Sequence, residues 1–379
     1  MLLFAPYSRL IRVFIRGLLA FLFASYSRYY SRPIRVTISV IIRVMKFLII
    51  RFSSIGDIVL TTPVVRCLKK QVVTAEVHYL TKKSFAGITE ANPHIDKIHY
   101  LDDNLPATIA QLQQEDFDYI IDLHNNLRTL KVKKALRKKS FSFNKLNWQK
   151  WLLTALKINK LPAVHIVDRY LQTLESFGVK NDGAGLDYFI PEKDAVKETD
   201  IPTAHLAGYI GLVIGAAHNT KKYPLHKLEA FCREINHPVI VLGGKEDAVV
   251  GQQLSAIDPF KIYNACGKFN LNESADLVRR AKLVISNDTG LMHIAAAFKR
   301  PLISLWGNTV PAFGMYPYYG PDFLSRQQRL PYDILEVNHL SCRPCSKIGY
   351  KKCPRGHFKC MELITPADVL QKTNERLGR

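Results

Sequence analysis

No G-x-G-x-x-G follows the first apolar strand of this chain, and that absence disfavours a dinucleotide-binding dehydrogenase. The tripeptide Asp288-Thr289-Gly290 occurs once, in a strand-to-helix turn. An aspartic protease needs a paired second carboxylate in an all-β fold, so that class is set aside. The apolar core of the N-terminal segment, Leu18–Ala24, is too short to span a bilayer. Cysteine is sparse, seven in 379 residues, which excludes a disulfide scaffold. Cys67, Cys232 and Cys266 stand singly in apolar or turn contexts and read as small core residues. Acidic residues are outnumbered, 32 against 53 Lys and Arg, and the net charge of +21 points to phosphate-bearing partners.

What is present suits two domains of roughly 150 residues each. Residues 1–44 hold seven Arg, no Lys and no acidic residue, whereas beyond them Lys outnumbers Arg by 31 to 15. This change of usage marks 1–44 as an extension outside the folded body. Either translation begins at Met45, where MKFLIIRFSSIGD reads as a first strand and turn, or the extension is an Arg-rich interfacial or anchoring segment. From Met45 short β-branched runs alternate with longer helical ones, as in βαβ units on a parallel sheet. The pattern predicts strands at Phe47–Ile50, Glu76–Leu80, Tyr119–Leu123, Ile210–Ile214, Val239–Leu242, Leu283–Ser286 and Leu302–Leu305. Gly178–Ala204, rich in Gly, Pro and charge, reads as a boundary, dividing the chain into 45–185, a linker at 186–204, and 205–379. The fold class is therefore α/β with two facing Rossmann-like domains, and the terminal helix Pro366–Arg376 is expected to pack back on the first.

Polar residues gather at strand ends, where open α/β sheets bind ligands. In Ser53-Ser54-Ile55-Gly56-Asp57, the Asp is either a helix-terminal residue favoured by the dipole or a carboxylate placed to accept a proton from a hydroxyl. The turn at 214–224 contains Gly215 and the pair Lys221-Lys222, of which Lys222 is the candidate to neutralise a leaving diphosphate; the alternative is a solvated lysine pair. Gly243-Gly244-Lys245-Glu246-Asp247 offers Glu246 or Asp247 to ribose hydroxyls, or is simply a glycine turn with acidic helix-starting residues. Asp288, Thr289 and Gly290 open a helix whose N-terminus favours an anion, and His293 one turn on is either a packing residue or an anion contact.

Residues 131–150 carry eight basic residues and no acidic one, with Trp148 and Trp151 alongside. Lys131, Lys133, Lys134, Arg137, Lys138 and Lys139 are thus candidates for an anionic membrane surface or a phosphorylated acceptor. A non-catalytic nucleic-acid- or membrane-binding protein is the rival reading, and it requires this run to control affinity. Finally Cys342, Cys345, Cys353 and Cys360, with His357 among them, concentrate four thiols in 19 residues. They suit a structural zinc clasp or remain free or redox thiols.

Taken together, FSSIGDIVLTTPVV, the KKYP loop, SNDTGLMHIAAA with WGNTVPAFGMYPY, and the Cys-rich tail resemble glycosyltransferase family 9, the ADP-heptose:lipopolysaccharide heptosyltransferases. The resemblance runs from Met45 to the C-terminus; residues 1–44 match nothing in it. It implies a GT-B fold and inverting transfer from a nucleotide-diphosphate sugar to a phosphorylated lipid-linked glycan, without a catalytic metal and with no nucleic-acid partner. It assigns the base role to Asp57, the leaving-group role to Lys222, and donor contacts to Asp288, Thr289, Gly290 and His293, with Glu246 matching the ribose-binding acid. It places the protein in the cytoplasm, peripheral to the inner membrane. Tyr223 stands where some members have Trp.

Overall fold

The computed structural model describes residues 43–378, so the expectations for the extension fall almost wholly outside it. Two parallel sheets organise this body. The first has the order β3-β2-β1-β4-β5, from β1 (Met45–Ile50), β2 (Ala75–Lys82), β3 (Lys97–Leu101), β4 (Tyr119–Asp122) and β5 (Lys139–Ser142). The second has the order β11-β10-β9-β6-β7-β8, from β6 (Ile210–Val213), β7 (Val239–Leu242), β8 (Ile262–Asn264), β9 (Leu283–Asn287), β10 (Leu302–Trp306) and β11 (Tyr332–Glu336). The central strands are buried on both faces and read as continuous apolar runs, as parallel sheets require. The strand order reverses between β1 and β4 in one sheet and between β6 and β9 in the other, and ligands bind above such switch points.

The helices that matter for the site are α1 (Ile55–Val59), α2 (Thr62–Gln71), α3 (Leu105–Gln113), α4 (Leu127–Leu136), α5 (Asn147–Trp151), α6 (Ile166–Leu171), α7 (Leu225–Glu234), α8 (Gly290–Ala297) and α9 (Pro366–Leu377). Between β5 and β6 the chain passes from the first sheet to the second. Arg66 of α2 holds Asp182 and Asp187, and the Asp187 amide donates to Thr62 Oγ1 at 3.0 Å. From Tyr188, whose hydroxyl donates to Asn272 at 2.7 Å, the linker packs on the second domain.

The terminal helix corrects one expectation. α9 packs on α7 and on β9 and β10 of the second sheet, not back on the first domain. Val369 is buried in the second domain's core, and Tyr223 fixes the helix entry by donating its hydroxyl to the Ile364 carbonyl at 2.8 Å. The basic run of residues 131–150 is spread over three elements. α4 carries Lys131, Lys133 and Lys134, β5 begins at Lys139, and α5 follows with Trp148 and Trp151.

Candidate active site

Above the first switch point, Asp57 sits in the first turn of α1. Its Oδ2 accepts from Ser54 Oγ at 2.8 Å and from the Ser54 amide at 3.3 Å, and its Oδ1 lies 2.5 Å from Arg51 Nη2. Arg51, at the end of β1, is buried and anchored in turn: Nε donates to the Ser53 carbonyl at 2.8 Å, and Nη1 to the Leu123 carbonyl at 2.6 Å and to Tyr170 Oη at 3.1 Å. Burial raises the Asp57 carboxyl, but the Arg51 charge and the Ser54 hydrogen bonds outweigh it and hold it below the ordinary carboxylate value. Asp57 is thus ionised and fixed in orientation at neutral pH, with a fifth of its side chain still exposed.

Sequence reasoning missed Arg51, although it stood in the quoted RFSSIGD, and it missed His124. The latter follows β4 in a turn shaped by buried Asp122, whose Oδ1 accepts from the amides of His124 at 3.1 Å and Asn125 at 2.6 Å. Its ring lies 4.9 Å from Phe52, and its buried Nδ1 has no hydrogen-bond partner. Burial and then Arg51 push the imidazole down to about 4, so it is neutral. The signal available was the polar DLHNN at the end of a predicted strand.

Across the cleft, the second switch point is built by β6 and β9. Asn287 closes it, donating to the carbonyls of Val213 and Ile214 and accepting from the Tyr223 amide at 3.2 Å. Asp288, Thr289 and Gly290 then lead into α8. Thr289 takes the N-cap position but makes no side-chain cap, so the first amides of α8 are left for an anion. His293 is buried, its Nδ1 unpartnered, and burial pushes it down to about 4; it can offer a neutral hydrogen bond but no charge.

The two lysines separate here. Lys221 Nζ lies 2.6 Å from Asp288 Oδ2, which also accepts from Thr309 Oγ1 at 2.8 Å. Lys222 instead turns to Asp247, with Nζ 2.6 Å from Oδ1. Asp247 is buried and its Oδ2 accepts from the Gly244 amide at 3.0 Å; a Cβ on Gly215 would come within 2.6 Å of that same oxygen. Glu246 is exposed and its carboxylate folds over Gly244. Tyr223 is buried rather than presented as a stacking platform.

The two turns meet. A Cβ on Gly56 would lie 2.6 Å from His293 Cδ2, and one on Gly290 would lie 2.6 Å from Ile55 Cγ2. Glycine at both positions therefore allows α1 and α8 to abut, bringing the SSIGD and DTG turns to one cleft.

The expected acceptor cations are dispersed. α4 starts at the cleft end and runs about 15 Å away from it, so Arg137, Lys138 and Lys139 lie toward the opposite end of the sheet. Lys133 is bound to Asp122 at 2.8 Å and Lys138 to Asp116 at 2.7 Å, while Lys131 and Lys134 are exposed on α4. Nearer Asp57 are Lys145 and Lys150. Burial, and then the charge of Arg51 on Lys145 and of Arg169 on Lys150, lowers both, Lys150 to about 8, and Asp57 partly offsets each. The Cys-rich segment crosses from the second domain to this wall. Lys157 Nζ donates to the Pro344 carbonyl at 2.7 Å, Lys347 Nζ to the Asn147 carbonyl at 3.4 Å, and the Tyr350 amide to Thr220 Oγ1 at 2.8 Å. Cys342 Sγ is 3.9 Å from His357 Nε2, but no three ligand atoms of Cys342, Cys345, Cys353, His357 and Cys360 lie within 4.8 Å of one another. The thiols do not form a ready metal tetrad.

Two facing parallel sheets, with a fixed carboxylate on one wall and a helix N-terminus with a lysine on the other, have the architecture of the GT-B fold. The model of glycosyltransferase family 9 (heptosyltransferase) matches residues 107–323, and the chain belongs to that family. It is 26% identical to lipooligosaccharide heptosyltransferase 2 of Haemophilus ducreyi, covering 88% of this chain and all of the relative. It is 28% identical to lipopolysaccharide heptosyltransferase 1 of Campylobacter coli, covering 70% of this chain and 84% of that one. The solved structure of E. coli ADP-heptose LPS heptosyltransferase II matches the fold with a TM-score of 0.65 at 17% identity, covering 88% of this chain and 98% of that one.

Proposed function

We propose that the protein transfers heptose from an ADP-linked donor, with inversion and without a catalytic metal, to lipopolysaccharide or a related lipid-linked acceptor. The observation that carries this reading is the meeting of the Asp57 turn with the Asp288–Gly290 turn across one cleft. The acceptor hydroxyl lies against Asp57, and the donor diphosphate against the start of α8. Because Asp57 is a weak base, it takes the proton late, as the new C–O bond forms and the hydroxyl becomes acidic. The departing ADP is stabilised by the α8 amides and by Lys221, which exchanges Asp288 for phosphate oxygens. Lys221 thus takes the role that the sequence assigned to Lys222. Lys222 and Asp247 brace the donor pocket, Gly215 leaves room for that brace, and Glu246 faces the ribose.

The acceptor's phosphate meets Lys145 and Lys150, and the exposed indoles of Trp148 and Trp151, stacked at 5.0 Å, touch an anionic inner-membrane surface from the cytoplasm. No helix among the described residues is long and apolar enough to cross a membrane. The central test is a donor screen with ADP- and UDP-linked sugars against extracted lipid acceptor; heptose transfer from the ADP donor supports the reading, and transfer of none rejects it. Calorimetry with ADP separates binding from turnover: affinity unchanged by Asp288→Ala would remove the donor site from this turn. Structural zinc at Cys342, Cys345, Cys353 and Cys360 requires that segment to tighten around the ion. Protein purified without chelator and carrying no zinc, with four titratable thiols, would exclude it.

A further inference from the structure

His78, His99 and Glu115 lie outside the cleft and have no part in the transfer. The parallel register pairs His78 with Lys97 and Leu80 with His99, so both imidazoles project from one face of β2 and β3. His78 is fully buried, and its Nδ1 is 2.9 Å from His99 Nε2. Glu115, between α3 and β4, brings Oε2 to 4.0 Å from the same Nδ1, and the three ligand atoms all lie within 4.8 Å of one another. A tetrahedral ion bonded to each would space them by about 3.3 Å. The imidazoles need to part by a few tenths of an ångström, and the carboxylate to close by an amount within reach of a glutamate rotamer.

The surrounding contacts prepare these atoms for an ion. Glu76 Oε1 is 2.7 Å from His78 Nε2, which fixes the proton there and leaves the Nδ1 lone pair available. Lys97 holds Glu115 through Oε1 at 2.5 Å, leaving Oε2 turned toward the imidazoles. Phe117 closes one side, edge-on to both rings at 5.1 and 6.0 Å. With the His78 proton on Nε2, the 2.9 Å contact is bridged by a proton on His99 Nε2, which moves to His99 Nδ1 when an ion takes its place. Glu115 and half-exposed Lys97 provide the route in from solvent.

We propose that His78 Nδ1, His99 Nε2 and Glu115 Oε2 bind one divalent transition-metal ion of the zinc class, with the fourth position open to water. Two imidazoles and one carboxylate favour zinc over magnesium or calcium, which prefer all-oxygen sets. Lys97 opens β3 and Glu115 precedes β4, so the ion lies toward the amino ends of the strands, away from Asp57. Its role is a clamp joining β2, β3 and the α3–β4 connection.

The test uses the full chain, stripped with chelator and titrated with zinc alone, in a background with Cys342, Cys345, Cys353 and Cys360 all replaced by Ser, which removes the competing thiols. One equivalent should bind, and thermal unfolding should move to higher temperature. His99→Gln should abolish that binding, and Glu76→Gln, which keeps all three ligands, should weaken it by about 10–100-fold. Metal-free melting curves check that each variant folds, and the Glu76 variant carries the test if the His99 variant does not. No zinc binding in the serine background, or binding indifferent to these substitutions, overturns the proposal. Neither result bears on the transferase reading.

Discussion

The two switch points use the same elements, a polar turn and a helix start, yet they balance charge differently. In the first domain the acid and its cation come from one continuous turn: Arg51 follows β1 and is held by the buried Leu123 carbonyl, and Asp57 lies in the first turn of α1, held by Arg51 and Ser54. That pair is complete without substrate. In the second domain each acid borrows a lysine from the 214–224 turn, Asp288 taking Lys221 and Asp247 taking Lys222. Of these, Lys221 stands at a helix N-terminus whose amides are uncapped, so an arriving diphosphate can take over its charge. The first turn holds an ionised carboxylate in one orientation, and in the proposed transfer the second gives up Lys221 to the donor diphosphate.

The contrast is broken most severely at Asp57. Asp57→Asn retains the shape and much of the hydrogen bonding but removes the proton acceptor, and turnover should fall by about 10²–10⁴ with ADP affinity unchanged in calorimetry. Near-normal turnover would dismiss Asp57 as the base. Next come the two lysines. Lys221→Ala should lower kcat by about 10²–10³, the loss expected for one group that stabilises developing charge. Lys222→Ala leaves buried Asp247 unpaired and should instead cost about 1–3 kcal/mol of stability in denaturant unfolding, with a smaller effect on kcat. The reverse ranking would return the leaving-group role to Lys222.

Adjacent lysines show where sequence reading stops. Lys221 and Lys222 share composition and turn, and which one reaches Asp288 is decided by the 3-10 turn at Asn219–Lys221 and by Asn287, neither of which leaves a periodic signal. The seven predicted strands are all present, each within a few residues, because buried parallel strands need unbroken apolar runs. The four not predicted, β3, β5, β8 and β11, are the edges of the two sheets, where sequences such as KSFS and YDILE carry polar residues that face solvent. The terminal helix was legible as a helix with one apolar face, but periodicity does not say which domain receives that face. Arg51 escaped notice because a basic residue at a strand end resembles a solvated one until Leu123 and Tyr170 enclose it.

The first domain also differs in carrying two lysines near Asp57, Lys145 and Lys150, that burial pushes below the ordinary lysine value. At its rim, replacing Trp148 and Trp151 together by Ala should weaken co-sedimentation with anionic vesicles. Roughly 60 Å² of ring withdrawn from lipid at about 25 cal/mol/Å² amounts to about 1.5 kcal/mol, near tenfold. Unchanged binding would move the membrane contact away from α5.

Closer to Asp57, Lys150 provides the subtlest discriminator. Burial and Arg169 lower it from the ordinary 10.5 to about 8, so the folded chain surrenders this proton before the unfolded chain does. Between those two values the unfolded state binds more protons, and the stability contribution of Lys150 therefore rises with pH. Acceptor binding should move the opposite way. A lysine that meets an acceptor phosphate loses its charge as pH passes about 8, so acceptor KM should climb several-fold while the donor KM stays level, one lost charge being worth about 1 kcal/mol at a partly exposed site. Lys150→Gln should start from the raised KM and flatten that limb, and its denaturant midpoint should lose the corresponding rise between pH 8 and 10. A donor KM that climbed in step would place Lys150 on the diphosphate side of the cleft. The division of labour between the two turns would then have to be redrawn.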